Sequence, residues 1–221
     1  MSFIVAIDGP AGSGKGTVTK LLGEKFNLIY IDTGAMYRCL TLDLIRNEID
    51  LDEIEKIEDR LEKIKIEFKK VNGMDKFYLD GEDVSTQIRE QKVNKLVSQV
   101  SHIPIVREKM SDLQRTMGTS QNVIMEGRDI GTNVFPNANV KIYLDATAEE
   151  RAKRRLKQNE EKGINIPYEE ILENIKFRDN NDKTSKVGPL KQAEDAIYID
   201  SSDMSIDEVV ERISKIIEAK L

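Results

Sequence analysis

Short apolar runs, rich in branched residues, recur along the chain and are separated by longer stretches with helical spacing of apolar positions. The runs cover residues 3–7, 28–31, 122–125, 140–144 and 196–199. Buried parallel strands have this continuous apolar character, and their alternation with helices is typical of an α/β fold. The pattern therefore predicts a mostly parallel sheet with helices on both faces.

The predicted strands finish in acidic residues, which are Asp8, Asp32, Glu126, Asp145 and Asp200. The carboxyl ends of parallel strands meet at one edge of a sheet, where open α/β sheets bind their ligands. We interpret most of these acids as turn residues that end a strand. Asp8 and Glu126 are the two that we expect near a bound Mg²⁺ ion.

Two helix starts can be placed from their capping residues. Thr147 and Ser205 are each followed three residues later by glutamate, which is the spacing of a capping box. They predict helices over residues 148–162 and 206–220. The second helix has one apolar face, which we expect to pack on the sheet. This face consists of Val209, Val210, Ile213, Ile216 and Ile217.

Residues 62–83 break this rhythm, because apolar and charged residues alternate there with a period of two. Asn72 and Gly73, in the middle of the segment, form a dipeptide typical of a tight hairpin turn. An antiparallel hairpin does not belong to a parallel sheet, so we expect it to form a small lobe of its own. The charged helical segment before it, residues 51–63, is interpreted as a solvated surface.

The chain has 221 residues and a formal net charge of −6 at pH 7. An acidic chain without a basic domain argues against a nucleic-acid partner. No apolar run approaches the roughly 18 residues that a membrane span requires, and the amino terminus lacks a signal-peptide pattern. We therefore expect no membrane association and a cytoplasmic location. Cys39, the only cysteine, cannot form an internal disulfide and is expected to pack in the core.

Residues 8–17, the phosphate loop, connect the first predicted strand to a helix and match the sequence G-x-x-x-x-G-K. Glycines allow backbone N–H groups to turn towards an anion, and the positive end of the following helix adds to the attraction. Lys15 is expected to reach the β- and γ-phosphates. The loop predicts a nucleoside triphosphate site composed of Gly9, Pro10, Ala11, Gly12, Ser13, Gly14, Lys15, Gly16 and Thr17.

Position 16 departs from the usual form of this loop. A serine or threonine that ligates Mg²⁺ normally follows the lysine, whereas this chain has Gly16 and then Thr17. Thr17 is therefore the candidate hydroxyl ligand of Mg²⁺, displaced by one position from the usual one.

A phosphate loop alone fits switch GTPases, motors, transporter ATPases and small kinases. If the phosphoryl acceptor is itself a phosphate, it arrives deprotonated, so it needs arginines rather than a histidine base. Arg38 and Arg128 both follow predicted strand ends and are expected near the carboxyl edge of the sheet. His102, the only histidine, is expected to have a structural role.

Arg151, Arg154 and Arg155 have the i, i+3, i+4 spacing that places side chains on one helical face. Such a run is usually a solvated surface. Here the segment leaves the fourth strand and leads, through Gly163 and Pro167, to a second helix. A helix-loop-helix of this kind can fold over a phosphate site and exclude water, so a catalytic lid is the functional interpretation.

Seven segments together make the sequence closely similar to the bacterial cytidylate kinases, which belong to the nucleoside monophosphate kinases. They span residues 6–17, 32–38, 80–85, 126–132, 140–145, 150–155 and 178–182, and include the sequences DTGAMYR, EGRDIGT and RDNND. The Gly-Lys-Gly-Thr form of the phosphate loop is also the one that this family uses. The resemblance implies a five-stranded parallel α/β core flanked by helices, with an inserted antiparallel hairpin lobe and a helical lid.

The resemblance also implies a domain organisation. Core segments cover residues 1–35, which contain the phosphate loop, and residues 116–150 and 179–221. The monophosphate-binding region covers residues 36–115, with its insertion at about 62–83, and the lid covers residues 151–178. We expect a monomer whose partners are small molecules.

The activity that the resemblance implies is the phosphorylation of CMP and dCMP by ATP, with Mg²⁺. Arg38 and Arg128 would hold the acceptor phosphate, and Asp129 would suit cytosine, whose exocyclic amine is a donor, rather than uracil. The implied catalytic groups are Lys15, Arg128, Arg151, Arg154 and Arg155. The implied acceptor-binding groups are Thr33, Arg38, Ser98, Arg107, Arg128, Asp129, Arg178 and Asp182.

One position departs from the family pattern R-D-x-x-D-x-x-R, because Ser185 stands where the last arginine belongs. The neighbouring Lys186 lacks the bidentate guanidinium fork, so contacts with this end of the acceptor are expected to differ. Two alternative functions are a kinase of UMP or AMP and a regulatory module that hydrolyses GTP. The second requires a guanine motif of the form N-K-x-D, which the Asn-Lys at residues 94–95 does not complete.

Overall fold

The computed structural model describes residues 2–119, 121–161 and 163–221. The strands are β1 (Ile4–Asp8), β2 (Ile29–Asp32), β3 (Ile66–Val71), β4 (Met74–Leu79), β5 (Glu82–Asp83), β6 (Val123–Gly127), β7 (Val140–Asp145) and β8 (Ile197–Asp200). The helices are α1 (Lys15–Phe26), α2 (Thr33–Arg46), α3 (Ile54–Lys63), α4 (Gln91–Val100), α5 (Pro104–Thr119), α6 (Ala148–Glu161), α7 (Tyr168–Thr184) and α8 (Ile206–Glu218). A 3₁₀ turn covers Gln87–Arg89, and a π-helical turn covers Ile130–Val134.

The larger sheet has the strand order β2-β6-β1-β7-β8. β1 is central and pairs in parallel with β6 and β7, and β7 pairs in parallel with β8. The predicted parallel sheet flanked by helices is therefore confirmed. Four of the five acids predicted to end strands do so. Asp8, Asp32, Asp145 and Asp200 are the last residues of their strands, and β6 continues past Glu126 to Gly127.

The core of this sheet is apolar on the face that α1 and α8 cover. Its buried cluster includes Val5 and Ile7 of β1, Leu144 of β7 and Leu22 of α1. α8 adds Val209, Ile213 and Ile217, while Val210 and Ile216 are partly buried against the cluster. The predicted apolar face of the closing helix is confirmed, although the helix ends at Glu218 rather than at residue 220.

The predicted capping residues begin their helices. Ser205 accepts a hydrogen bond from the backbone N–H of Glu208, and the Glu208 side chain accepts one from the backbone N–H of Ser205, which completes the capping box. At the start of α6, the Thr147 hydroxyl accepts the backbone N–H of Glu150 at 3.2 Å. The predicted end of this helix, Lys162, lies outside the described residues.

The inserted antiparallel sheet contains β3, β4 and β5 in that order. Phe68 of β3 faces Phe77 of β4, and their rings pack edge to face at 5.1 Å. Asn72 and Gly73 have φ angles of 52° and 76°, as a tight hairpin turn requires. The predicted hairpin is confirmed, but its start was wrong, because residues 62 and 63 belong to α3.

The α3 helix is more than the solvated surface that its charge pattern indicated. It buries Ile57 completely. Arg60 donates two hydrogen bonds, of 2.8 and 2.6 Å, to the buried carboxylate of Asp43 in α2. These contacts anchor α3 to α2, and no local pattern in the sequence indicates the ion pair.

The chain divides into two compact units, Met1–Tyr30 with Arg115–Leu221, and Ile31–Gln114. The first contains the phosphate loop, α6 and α7, and the second contains the inserted sheet and α2 to α4. The predicted boundaries at residues 35 and 115 and the lid at 151–178 remain predictions. Among the helices in the described part of the chain, none has both the length and the apolar character to cross a membrane.

Candidate active site

The phosphate loop leaves the central strand β1 and ends at the first residue of α1. Gly9 is essential to its path, because a Cβ atom there would lie 2.0 Å from the carbonyl oxygen of Leu144. Gly14 caps α1 with a left-handed φ of 90°, which favours glycine. The loop therefore presents the amino-terminal end of α1, where backbone N–H groups favour an anion.

Lys15 is almost completely buried and lies inside the loop. Its ammonium group donates a hydrogen bond to the Pro10 carbonyl at 2.7 Å and lies 3.5 Å from the hydroxyl of Ser13. Burial, and then the nearby charge of Arg128, lower the pKa of Lys15 from 10.5 to about 7. The loop thus holds an ammonium group that lacks a carboxylate hydrogen-bond partner among the described contacts.

Gly16 lies against Glu126, which explains the unusual residue at this position. A Cβ atom on Gly16 would lie 3.1 Å from the Oε1 atom of Glu126 and 3.7 Å from the hydroxyl of Tyr30. Tyr30 donates a 2.5 Å hydrogen bond to that same carboxylate oxygen. A serine here would crowd the Glu126 carboxylate. The oxygen atom beside the first turn of α1 is therefore that of Glu126 rather than a serine hydroxyl. Thr17 is exposed.

Asp8 has a role that the sequence did not indicate. Its Oδ1 atom accepts the backbone N–H of Ile130 at 2.8 Å, and its Oδ2 atom accepts that of Gly131 at 2.7 Å. The carboxylate is buried, and burial raises its pKa to about 6 against the lowering effect of these two hydrogen bonds. Asp8 therefore binds the loop that follows β6, and its expected place beside Mg²⁺ stays a prediction.

Arg128 and Asp129 lie on that loop, directly after β6. The Nε atom of Arg128 donates a 2.7 Å hydrogen bond to Asp182 of α7, which pairs two residues that the sequence analysis named separately. Asp129 is buried and accepts a hydrogen bond from the amide of Asn133 at 3.0 Å. Near the end of α7, the Ser185 hydroxyl donates to the carbonyl of Val187 rather than supplying a cation.

The three arginines of α6 have different surroundings, although their spacing places them close together. Arg151 is buried, and its guanidinium group donates to the carbonyls of Ala11 and Ala146 and to both carboxylate oxygens of Asp179. Arg154 donates to the Ser201 carbonyl at 2.6 Å. Arg155 is exposed. Protein acceptors thus already bind the guanidinium group of Arg151, and the catalytic role expected for the three arginines stays a prediction.

The second unit carries the remaining predicted acceptor residues. Thr33 is buried as the first residue of α2, whose amino terminus is capped by Asp32. Arg38, one turn later, donates hydrogen bonds to the Ile88 carbonyl at 3.2 Å and to the Asn94 side chain at 2.5 Å. Arg107 of α5 is buried, with its guanidinium group 5.7 Å from the Tyr37 ring.

His102 and Cys39 were both expected to have no part in the chemistry. The side chain of His102 lies within hydrogen-bond distance of the carbonyl of Ser98, in the turn between α4 and α5. Cys39 is fully buried in α2, and burial raises the pKa of its thiol to about 12. The expected packing of Cys39 in the core is confirmed, and the structural role of His102 stays a prediction.

Comparison with known proteins identifies the family. A model of the family described as Cytidylate kinase matches residues 5–219, almost the whole chain. This chain belongs to the cytidylate kinase family. Membership makes the protein a nucleoside monophosphate kinase, as its motifs implied.

Several bacterial cytidylate kinases are similar to this chain over nearly their whole length. The cytidylate kinase of Fusobacterium nucleatum subsp. nucleatum is 52% identical over 217 residues, which is 98% of each chain. That of Caldicellulosiruptor saccharolyticus is 49% identical over 209 residues, or 95% of this chain and 92% of the relative. Among solved structures, an uncharacterized protein from Eubacterium ventriosum has a TM-score of 0.52 at 12% identity, covering 98% of this chain and 99% of that one. This last likeness concerns the fold alone.

The family motifs include Asp179 without indicating its partner, and they leave out Asn94 and Tyr30, which also contact site residues. Asp179 binds Arg151, Asn94 binds Arg38, and Tyr30 binds Glu126. Asp179 and Asn94 are common polar residues on helices, and Tyr30 lies in a strand, so local pattern does not distinguish them. Each is recognised only because the fold brings it to a partner distant in sequence.

Proposed function

We propose that this protein transfers the γ-phosphoryl group of ATP to CMP and dCMP. The observation that carries the proposal is the buried Lys15 inside a glycine-rich loop, in a chain that matches the cytidylate kinase family over residues 5–219. Identity of 52% with a cytidylate kinase over 98% of both chains supports the choice of acceptor.

The donor phosphates bind to the phosphate loop and to the amino terminus of α1 in this proposal. The Lys15 ammonium group then exchanges its contacts with Pro10 and Ser13 for phosphate oxygens, which carry full negative charge. Phosphoryl transfer needs little covalent help from the protein, so the catalytic effect comes from alignment and charge neutralisation. Arg154 and Arg155 are the proposed lid cations, and Arg151 holds α6 to the phosphate loop.

The acceptor binds through residues that the resemblance assigns to CMP. Arg38 and Arg128 hold its phosphate, and Thr33, Ser98, Arg107 and Asp129 surround the base. Arg178 and Asp182 reach the pentose. Because Asp182 already accepts a hydrogen bond from Arg128, it also orients that guanidinium group. The carboxylate of Asp129 favours the amine of cytosine over the carbonyl of uracil, since a carboxylate only accepts hydrogen bonds.

The residues beside Lys15 fit a Mg²⁺ ion. Mg²⁺ prefers oxygen ligands and usually binds through one or two carboxylates together with phosphates and water. Glu126 places a carboxylate oxygen beside Gly16, and Thr17 adds a hydroxyl one residue later. Across the described residues, no group of three His, Cys, Asp or Glu side chains could hold a metal by itself. When bound, Mg²⁺ neutralises charge on the phosphate oxygens; we propose Glu126 and Thr17 as the residues that hold it, directly or through water.

A panel of monophosphates tests the proposed function. ADP release from Mg²⁺-ATP is measured with CMP, dCMP, UMP and AMP, with the Lys15→Ala variant as the negative control. CMP and dCMP should be the preferred acceptors. Preference for UMP or AMP would transfer the assignment to another monophosphate kinase, and inactivity on all four would refute it. The monomeric state and the cytoplasmic location remain predictions from the sequence.

A further inference from the structure

Asp8 joins the two loops that the proposed function uses. It is the last residue of β1 and directly precedes Gly9, the first glycine of the phosphate loop. Its carboxylate accepts the backbone N–H groups of Ile130 and Gly131, which come directly after Arg128 and Asp129. The side chain of Asp8, at the start of the phosphate loop, is therefore hydrogen-bonded to the loop that carries Arg128.

The register of the sheet closes this second loop on Asp8. In the pairing of β1 with β6, Asp8 stands opposite Gly127, where β6 ends. The next two residues are Arg128 and Asp129. The chain then returns to Asp8, whose carboxylate accepts the backbone N–H groups of Ile130 and Gly131. The two acceptor residues thus lie between two points of attachment to the same residue of β1.

Gly131 is held closely from a second side. A Cβ atom on Gly131 would lie 3.3 Å from the Oδ2 atom of Asp8 and 3.2 Å from the Cδ atom of Lys141. The stem of Lys141 is buried, and its ammonium group is fixed by hydrogen bonds of 2.8 Å to both carboxylate oxygens of Asp195. A side chain at position 131 would therefore press on two side chains that are held by hydrogen bonds.

The burial of Asp8 argues for a specific role. Its neighbours in β1, Val5, Ala6 and Ile7, are fully buried and apolar. An apolar residue in place of Asp8 would avoid the free-energy cost of removing a carboxylate from water. Both partners of Asp8 are N–H donors, so two acceptor oxygens are required at this position. Asparagine supplies one oxygen and would turn an NH₂ group towards the other N–H. Asp8 is thus matched to the loop by charge, shape and hydrogen-bond direction.

We propose that Asp8 is a positioning residue for phosphoryl transfer, which fixes Arg128 and Asp129 relative to the phosphate loop. The proposal rests on the proposed function, in which Arg128 binds the acceptor phosphate. In-line transfer requires the donor and acceptor phosphates to be held at a defined separation, and a misplacement of about 1 Å can reduce the rate about 100-fold. Asp8 sets this separation from the protein side, because it is the first residue of the phosphate loop.

The Asp8→Asn variant tests the proposal. Turnover per ATP-binding site should fall about 100-fold, and the KM for CMP should rise about 10-fold, while the Kd for ATP changes by less than about 3-fold. ATP-binding sites are counted by titration, so that loss of folded protein does not enter the rate. Hydrogen exchange at the amides of Ile130 and Gly131 should become faster than in the wild type. A general loss of stability would lower the yield of sites but would leave the KM for CMP unchanged.

The matched control is Asp43→Asn, which removes charge from another buried carboxylate, one that accepts two hydrogen bonds from Arg60 and one from Asn47. This variant should lower thermal stability and leave the two kinetic constants for CMP within about 2-fold of the wild type. If Asp8→Asn does not fold, Gly131→Ala replaces it, because its Cβ would press on Asp8 and Lys141 and shift the loop by a few tenths of an ångström. The same rise in the KM for CMP is expected, at about 3-fold or more.

The outcomes separate the inference from the function on which it rests. Wild-type protein that leaves CMP and dCMP unphosphorylated would refute the proposed function. Active wild-type protein whose Asp8→Asn variant, or Gly131→Ala in its place, keeps normal turnover per site and a normal KM for CMP would refute the positioning role of Asp8 alone.

Discussion

Lys15 shows how one residue can combine burial with a need for charge. Its ammonium group contacts a carbonyl and a hydroxyl inside the phosphate loop, and burial together with Arg128 lowers its pKa to about 7. A bound triphosphate would surround the same group with negative charge and raise its pKa again. The protonation state of Lys15 and nucleotide binding are therefore linked, and each favours the other.

The first prediction concerns this linkage. Above a pH of about 7, Lys15 is mostly neutral in the empty loop and becomes protonated in the complex, so ATP binding should take up close to one proton at about pH 8. Isothermal titration calorimetry in two buffers of different ionisation enthalpy, such as Tris and HEPES, measures this number. Arginine stays protonated throughout this range, so the Lys15→Arg variant should show no such uptake. Equal proton uptake by both proteins would contradict the prediction.

At the scale of a helix, α6 shows that spacing does not determine what neighbouring residues do. Arg151 is bound by Ala11, Ala146 and Asp179, Arg154 by the Ser201 carbonyl, and Arg155 is exposed. Sequence periodicity places side chains on a face of the helix, but the elements packed against that face decide their partners. The same segment thus contains one buried arginine, one partly exposed arginine and one exposed arginine.

The second prediction follows from the burial of Arg151. The Arg151→Ala variant leaves the partly buried carboxylate of Asp179 and the carbonyl of Ala11 without their donor, so the free energy of unfolding should fall by about 3–5 kcal/mol. Urea unfolding measures this change. The control is Lys153→Ala on the same helix, where an exposed side chain is removed and the change should stay within about 0.5 kcal/mol. Similar losses in the two variants would contradict the assignment.

The third prediction concerns Arg154, which is partly exposed and is proposed as a lid cation. Because its charge is needed mainly in the transition state, Arg154→Ala should lower kcat about 100-fold and change the Kd for ATP by less than about 5-fold. Steady-state kinetics and calorimetry measure the two quantities, and Lys153→Ala again provides the control, with wild-type values for both. A large loss of ATP affinity at unchanged kcat would place Arg154 in ground-state binding instead.

The sequence predicted what is encoded locally and missed what depends on distant partners. Alternation of apolar runs gave the parallel sheet, Asn72 and Gly73 gave the hairpin turn, and Ser205 gave a helix start, because each is decided by residues within a few positions. The bonds from Asp8 to Ile130 and Gly131 join positions 122 and 123 residues apart. No periodicity reports such a pair, and an acid at a strand end has the same local pattern whether it meets a metal ion, water or a backbone amide.

At the scale of the whole molecule, a net charge of −6 coexists with a site proposed to bind two anionic nucleotides. Exposed acids such as Asp83, whose pKa is lowered to about 2 by hydrogen bonds from Ser85 and Lys76, favour the folded state once ionised. Ionisation of Asp8 has the opposite effect and disfavours the folded state, because burial raises its pKa to about 6.

The last prediction is the effect of Asp8 on the pH dependence of stability. Its pKa is about 6 in the folded chain and near 3.8 when unfolded, so the folded state binds more protons between these values. Its contribution to the free energy of unfolding should therefore be greatest below about pH 4 and should fall by about 3 kcal/mol as the pH rises through 6. Asp8→Asn does not titrate, and the difference between wild type and variant isolates this contribution from all the other acids. Urea unfolding of both proteins between about pH 4 and 7 gives the free energy of unfolding as a function of pH, and the two curves should converge or cross. Parallel curves would show that Asp8 ionises as easily in the folded chain as in the unfolded one.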